Sequence, residues 1–305
     1  MARIAVIGDV HEQWNAADNA YFNDSDYDLL LFVGDLTSIV SMKRTPSIAR
    51  RLSGLRKQAL MIAGNHDIHN VIQMLAEVMD NEPLMWLSGA RHAAFHRRLG
   101  EWIAPVQMGG YSSHFFQFAG AAFDLVVARP CSMGSGPAGP AANGQNGAEH
   151  SGNRYRKRLN FARMLRDVYG VDSMANSAQR LKQCVDQTRT DRLLFLAHNG
   201  PTGLGAAPDD LWGRDFGQDI GGDWGDEDLR EAIDYAEAQG KRVEAVVAGH
   251  MHLLTKQGDE RPWRRCVDGV YYVNAARVPR VRPAGRHHVR IVLDREGVEV
   301  GERFV

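Results

Sequence analysis

The chain has 305 residues, 44% of them hydrophobic, which favours a soluble globular protein and is enough for one large α/β domain spanning residues 1–305. A formal net charge of -1 and a pI near 6.9 exclude a global electrostatic attraction to nucleic acid or anionic membrane, while local basic patches stay open. Cys131, Cys184 and Cys266 are odd in number, widely spaced and in no C-x-x-C pair, which argues against a disulfide framework or a cysteine-built metal site. With no leader-like h-region and no run long enough to span a bilayer, the expectation is a cytoplasmic protein in a reducing compartment.

In chain order, residues 3–7 form a β-branched apolar run closed by Gly8, which predicts a buried strand with Asp9 and His11 on the loop at its C-terminal end. In open α/β sheets that end is where ligands bind. An Asp-x-His pair there can offer a carboxylate and an imidazole to one cation. Alone, the tripeptide reads better as an acidic turn with a surface histidine. Leu29 to Val33 is a second apolar run, and Gly34-Asp35 closes it as Gly8-Asp9 closed the first. The glycine permits a sharp turn that faces the next carboxylate into a cleft, so Asp35 is the candidate to bridge two ions.

Ser47 to Leu55 carries apolar residues at helical intervals, and Gln58 to Ala63 predicts a third strand, followed by Gly64-Asn65-His66-Asp67. The Asn65 amide oxygen is a neutral hard ligand, and His66 beside it is placed to reach a leaving oxygen or a transferring phosphate. The same residues also read as the cap of a helix over Val71 to Met79, and both readings can hold together. Phe115–Phe118 and Phe123–Ala128 predict a β-hairpin that begins the second half of the fold. His92, His96 and His114 sit in no motif and stay outside the site.

Residues 132–152 are rich in glycine, alanine, proline and asparagine, which predicts a long insertion, either a substrate-shaping lid or a disordered loop. The basic cluster Arg154, Arg156, Lys157, Arg158 opens a helix expected to reach Tyr169. It reads first as a solvated face and second as a phosphate-orienting group. A serine-capped helix over Ser173 to Thr188 leads into the strand Leu193 to Ala197 and then His198. The glycine- and aspartate-rich loop Asn199 to Trp224 does not have EF-hand spacing. Asp226 to Gln239 is expected to be a helix whose first acids serve capping.

Val243 to Ala248 predicts another buried strand, with Gly249-His250-Met251-His252 at its end. Val270 to Asn274, His288 to Leu293 and Val298 to Phe304 are expected to be antiparallel strands completing the second sheet. Residues 261–290 hold Arg261, Arg264, Arg265, Arg277, Arg280, Arg282, Arg286 and Arg290, which fit a solvated face better than a nucleic-acid footprint.

The ordered set Gly8-Asp9-Val10-His11, Gly34-Asp35, Gly64-Asn65-His66-Asp67, a strand-end His198, and Gly249-His250-Met251-His252 resembles the calcineurin-like metallophosphoesterase superfamily over residues 8–252. The stretch from Ala197 to Gly205 with the later Gly-His-Met-His is similar to a subgroup of bacterial, cyanobacterial and plant members. The resemblance implies a four-layer αββα sandwich of two mixed β-sheets flanked by helices, with a dinuclear site at the C-terminal strand ends. It implies Asp9, His11, Asp35 and His252 as ligands of one ion and Asp35, Asn65, His198 and His250 as ligands of the other. His66 resembles the non-ligand histidine that stabilises the transition state or protonates the leaving group, and Asp67 beside it completes the catalytic set. Two divalent or mixed-valence ions, manganese, iron or zinc, would activate a hydroxide for in-line attack on a phosphate ester.

The expected substrate is a small phosphorylated molecule or nucleotide, as monoester or diester. A nuclease of the same chemistry is the less favoured alternative, and a non-catalytic metal-binding scaffold is the third. Gly-Asn-His-Asp in place of Gly-Asn-His-Glu disfavours a phosphoprotein substrate. No membrane partner is expected.

Overall fold

The computed structural model describes residues 1–37, 48, 51–52, 54–67, 106–129, 166, 170–217 and 220–305. The expected helix Val71 to Met79, the insertion 132–152, the basic cluster 154–158 with the helix to Tyr169, and His92, His96 and Cys131 lie outside the described residues, as does much of the helix expected over residues 47–55.

The three apolar runs become β1 (Ala2–Ile7), β2 (Leu29–Phe32) and β3 (Ala59–Ile62), paired in parallel, with β4 (Val106–Gly109) beyond them. Parallel strands are covered on both faces, which explains why these segments read as continuous apolar runs rather than alternating ones. On β1, Ile4 and Val6 point to one side and Ala5 and Ile7 to the other. The outer side packs against α1 (Ala16–Asp24) through Trp14, Phe22 and Tyr27.

The predicted hairpin is present as β5 (Ser112–Phe118) and β6 (Ala121–Val127), and it does open the second sheet. That sheet continues through β7 (Arg192–Leu196), β8 (Arg242–Ala248) and β10 (Val270–Asn274), all parallel to one another, and ends at the antiparallel β9 (Arg264–Val267). Its outer face is covered by α2 (Met174–Asp186), whose Ser173 hydroxyl caps the Asn176 amide, and by α3 (Glu227–Ala238).

Between the sheets lies one apolar layer, with Ile4, Val6, Leu31 and Leu60 from the first meeting Phe123, Leu125, Leu194 and Val247 from the second. Each such side chain, fully buried, contributes about 1.5–3 kcal/mol, so the interlayer core is the main adhesive of the four-layer αββα sandwich. The described residues form one seven-stranded and one six-stranded mixed sheet.

The C-terminal strands depart from expectation. Of the three, only β10 joins the second sheet, and it runs parallel to β8. The pair β12 (Gly285–Leu293) and β13 (Val298–Phe304) returns to the first sheet, where β12 lies antiparallel to β1 with Ile4 opposite Ile291; the two-residue β11 (Val281–Arg282) also pairs with β12. The alternating pattern of these segments fixes a buried face but not which sheet provides it.

Two charge assignments are also corrected. Asp226 stands at the start of α3 without a side-chain capping bond; it and Asp228 are buried and pair with Arg129 at 2.8 and 3.2 Å. The arginine-rich stretch is not a solvated face throughout: Arg261, Arg277 and Arg280 are buried and pair with Asp215, Glu260 and Glu302, and Asp18 respectively.

Candidate metal centre

Every predicted ligand falls at the carboxyl end of a parallel strand. Asp9 and His11 follow β1, Asp35 follows β2, Asn65 and His66 follow β3, His198 follows β7, and His250 and His252 follow β8. The parallel strands of both sheets end along one edge, so residues more than 240 positions apart meet there. Asp9, His11, Asp35 and His250 have φ of 34, 43, 50 and 69°, left-handed values that non-glycine residues avoid. Such strain costs about 1–3 kcal/mol per residue and persists where surrounding contacts over-determine it, a pattern concentrated at functional sites.

Two donor groups result. In the first, His11 Nε2 and His252 Nε2 lie 3.2 Å apart, and His252 Nε2 is 3.4 Å from Asp9 Oδ2. In the second, the Asn65 amide oxygen is 2.8 Å from both His198 Nε2 and His250 Nδ1, and these nitrogens are 3.2 Å from each other. Asp35 stands between them: Oδ1 is 3.6 Å from His198 Nε2, and a ligand atom of Asp35 also groups with His11 and His66 within 4.8 Å.

The chemistry of the donors fits two cations. Backbone carbonyls only accept, so His11 Nδ1–H donates to Thr37 O at 3.1 Å and His198 Nδ1–H to Val33 O at 2.7 Å. Both bonds leave Nε2 as a lone pair turned toward the cluster, the second-sphere arrangement usual for metal-bound imidazoles. Asp9 Oδ2 is buried and, among the described residues, has His252 Nε2 at 3.4 Å beside it but no donor in good hydrogen-bond geometry. A buried acceptor left this way costs about 1–3 kcal/mol unless a cation meets it.

Charge points the same way. Burial pushes the Asp35 carboxyl well above the ordinary range, and the negative charges of Asp9 and Asp67 add to it. Burial also pushes Asp9 up, but the surrounding histidines, His252 first, outweigh it and hold that carboxyl low. His198 and His250 are pushed down by burial, His250 further by the neighbouring His198. Two imidazoles held toward the neutral form, His198 and His250, thus stand beside the buried Asp35 carboxyl, an arrangement that a cation would stabilise.

His66 lies beside the centre, its Nε2 3.9 Å from Asp35 Oδ2, with its amide donating to Asp35 Oδ1 at 2.8 Å and its side chain 24% exposed. Burial and then the charge of His11 push its imidazole down to about 3. Asp67 is placed differently. It is fully buried, Oδ2 accepts from Gly64 N at 2.9 Å, and Oδ1 accepts from the amide and hydroxyl of Thr37, each at 3.0 Å. Those bonds tie the loop after β3 to the loop after β2.

Asp9, His11, Asp35, Asn65, His66, His198, His250 and His252 are therefore brought together, and Asp67 lies behind them. Sequence reasoning missed Thr37, whose carbonyl sets the His11 tautomer. Its only signal was a hydroxyl residue two positions after Asp35.

At the edge where the two mixed sheets meet, imidazole, amide and carboxylate donors gather into candidate metal-holding groups, Asp9 with His11 and His252 and Asp35 with His11 and His66. The chain matches the family model for calcineurin-like phosphoesterases over residues 2–254. It belongs to that family of metal-dependent phosphoester hydrolases, which use a dinuclear divalent metal centre. Among solved structures it is similar to a dimetal phosphatase from Danio rerio, with a TM-score of 0.54 at 11% identity, covering 99% of this chain and 96% of that one. A structure titled as a novel archaeal phosphodiesterase matches at a TM-score of 0.39 and 11% identity over 99% of each chain. No curated protein sequence matches the chain.

Proposed function

We propose that the protein hydrolyses a small phosphate ester, monoester or diester, of nucleotide-like or other low molecular weight. The observation that carries this is the pair of donor groups about Asp35, with His11 and His252 on one side and Asn65, His198 and His250 on the other. Asp9, His11, Asp35 and His252 would hold one ion, and Asp35, Asn65, His198 and His250 the other. When bound, two such ions supply the Lewis acidity that lowers the pKa of a water and neutralises the phosphoryl oxygens. The mixed nitrogen and oxygen donors suit manganese, iron or zinc.

His66 serves the substrate in this reading. Its imidazole is neutral at pH 7 and its side chain is part-exposed beside Asp35, so it donates one N–H to a phosphoryl or leaving oxygen. Asp67 acts through His66 and Asp35 rather than on substrate, because its oxygens are occupied by Gly64 and Thr37.

A small substrate is favoured over nucleic acid by the use made of the arginines. Three of the eight are buried in ion pairs, and Arg264 and Arg265 donate to the Val300 and Leu204 carbonyls. Free cationic side chains, not buried ones, neutralise a phosphate backbone. A cytoplasmic setting belongs to the same proposal. Among the described residues, no helix is long and apolar enough to cross a membrane.

The test is hydrolysis of a chromogenic phosphomonoester and the matching diester by metal-stripped protein reloaded with manganese, alongside His66→Ala. Metal-dependent turnover that falls by about 10²-fold or more in the variant, with metal binding intact, supports the reading. Full metal loading without turnover on either ester would instead support the scaffold.

A further inference from the structure

Around the turn that carries His250 and His252, three side chains from three separate segments donate to three of its backbone carbonyls. Trp212 Nε1 reaches Gly249 O at 3.3 Å, Asn274 Nδ2 reaches Met251 O at 2.7 Å, and Arg261 Nε reaches His252 O at 2.8 Å. The peptide before His250 and the peptides on both sides of His252 are thus fixed. That restraint is what a histidine at φ 69° requires, since a left-handed residue relaxes unless its neighbours hold it.

The same donors also grip residues 208–213. Asn274 Nδ2 reaches Leu211 O at 3.1 Å, and Arg261 Nη1 is 2.6, 2.8 and 2.9 Å from the carbonyls of Pro208, Asp210 and Gly213. Trp212 belongs to this segment, and its indole fills the space beside Gly200, where a Cβ would overlap it. Arg261 is buried, pairs with Asp215 at 3.2 Å, and turns Nε and Nη1 to neutral carbonyls. Burying a guanidinium is costly, so a rigid fork aimed at four backbone oxygens on two loops marks an orienting role that a lysine point charge cannot reproduce.

We infer that Arg261 and Asn274 are positioning residues of the metal centre: they clamp segment 208–213 onto the Gly249–His252 turn and set where the two imidazoles stand. The inference rests on the reading of His250 and His252 as ligands of two ions. Neither residue touches substrate, and their effect passes through the backbone of the turn.

The test is a manganese titration, followed by calorimetry and electron paramagnetic resonance, of the full chain and of Arg261→Lys, Arg261→Gly, Asn274→Ser and Arg192→Lys. Arg192 pairs with Glu244 at 2.6 Å and donates to the Asp294 and Gly297 carbonyls at the start of β7, the sheet end away from the site, so it controls for loss of a half-buried arginine. Arg261→Lys and Asn274→Ser are expected to weaken one of the two manganese sites by about 10- to 100-fold, the effect usual for groups that orient metal ligands, and to lose the spin-coupled signal. Added guanidinium is expected to restore that site in Arg261→Gly, while Arg192→Lys keeps both affinities. Wild-type affinity for both ions in Arg261→Lys and Asn274→Ser overturns the inference alone, as does unfolding of both variants, which would assign the residues to the fold. Failure of the unaltered protein to take two ions overturns the metal reading along with it.

Discussion

Gly64 lies so close to Asp35 that a Cβ on it would overlap the Asp35 carboxylate and its backbone amide. The glycine of one strand-end motif therefore makes room for the carboxylate of another. Gly249 stands in the same relation to Asp9 Oδ1. Gly64→Ala is expected to displace Asp35, cost about 1–3 kcal/mol of stability by overpacking, and weaken binding of both ions. Thermal unfolding together with a manganese titration checks it. Unchanged stability and two tight sites would show that the loop yields without cost.

Asp67 accepts from the Gly64 amide and from the amide and hydroxyl of Thr37. Asp67→Asn turns an amide N–H toward a protein N–H, and Thr37→Val removes the hydroxyl that meets Oδ1 at 3.0 Å. Both variants are expected to lose about 1–3 kcal/mol and some turnover, with the pH dependence of the residual activity unchanged. A shifted pH–rate profile in Asp67→Asn alone would restore Asp67 to the reacting groups.

Much of the site was legible because a parallel sheet writes its ligands the same way each time: apolar run, glycine, donor. Asp9, Asp35, Asn65 and His250 follow that rule, His198 follows Ala197 at the end of the same kind of run, and the apolar runs located their strands. Less legible was anything decided by a distant partner. Helix α1 has Asp18 on its buried side, partnered by Arg280 some 262 positions away, so no apolar stripe announced it. The same holds for β12, whose place beside β1 depends on pairing across nearly the whole chain. Gly34, read as a turn-former, has φ of 105°, whereas Gly64 and Gly249 serve close approach, and Asp9, His11, Asp35 and His250 take left-handed backbone themselves.

Buried histidine predicts an acid limit. His288 is fully buried with Nε2 2.7 Å from the Tyr27 hydroxyl, and burial, then the charges of His287 and Arg280, push it from 6.5 down to about 3. The folded state keeps this imidazole neutral while the unfolded chain takes up a proton below its ordinary pKa, so the unfolded state binds more protons and stability falls as pH falls. The loss begins near pH 6.5, amounts to about 2 kcal/mol by pH 5, and ends near the folded value. Denaturant midpoints at neutral and mildly acidic pH should differ by that much more in the wild type than in His288→Gln. Equal differences would assign the acid sensitivity elsewhere.

Arg129 joins the end of β6 to the start of α3 through Asp226 and Asp228, and Asn199, next to His198, also donates to Asp226 at 3.2 Å. Burial raises the Asp226 carboxyl to about 6 even with Arg129 beside it. Arg129→Met removes the guanidinium that faces these two buried carboxylates, and a loss of about 3–5 kcal/mol in chemical denaturation is expected. A change below about 1 kcal/mol would mean that water or protonation compensates.

The account stands most directly on Asp35 as the shared ligand. Calorimetric titration of metal-stripped wild type and Asp35→Asn with manganese, with ester hydrolysis assayed on the same samples, measures this. Two ions per wild-type chain, with loss of paired binding and of turnover by about 10²-fold or more in Asp35→Asn, is the predicted result. Paired binding and turnover that survive in Asp35→Asn would contradict a dinuclear centre built on that carboxylate.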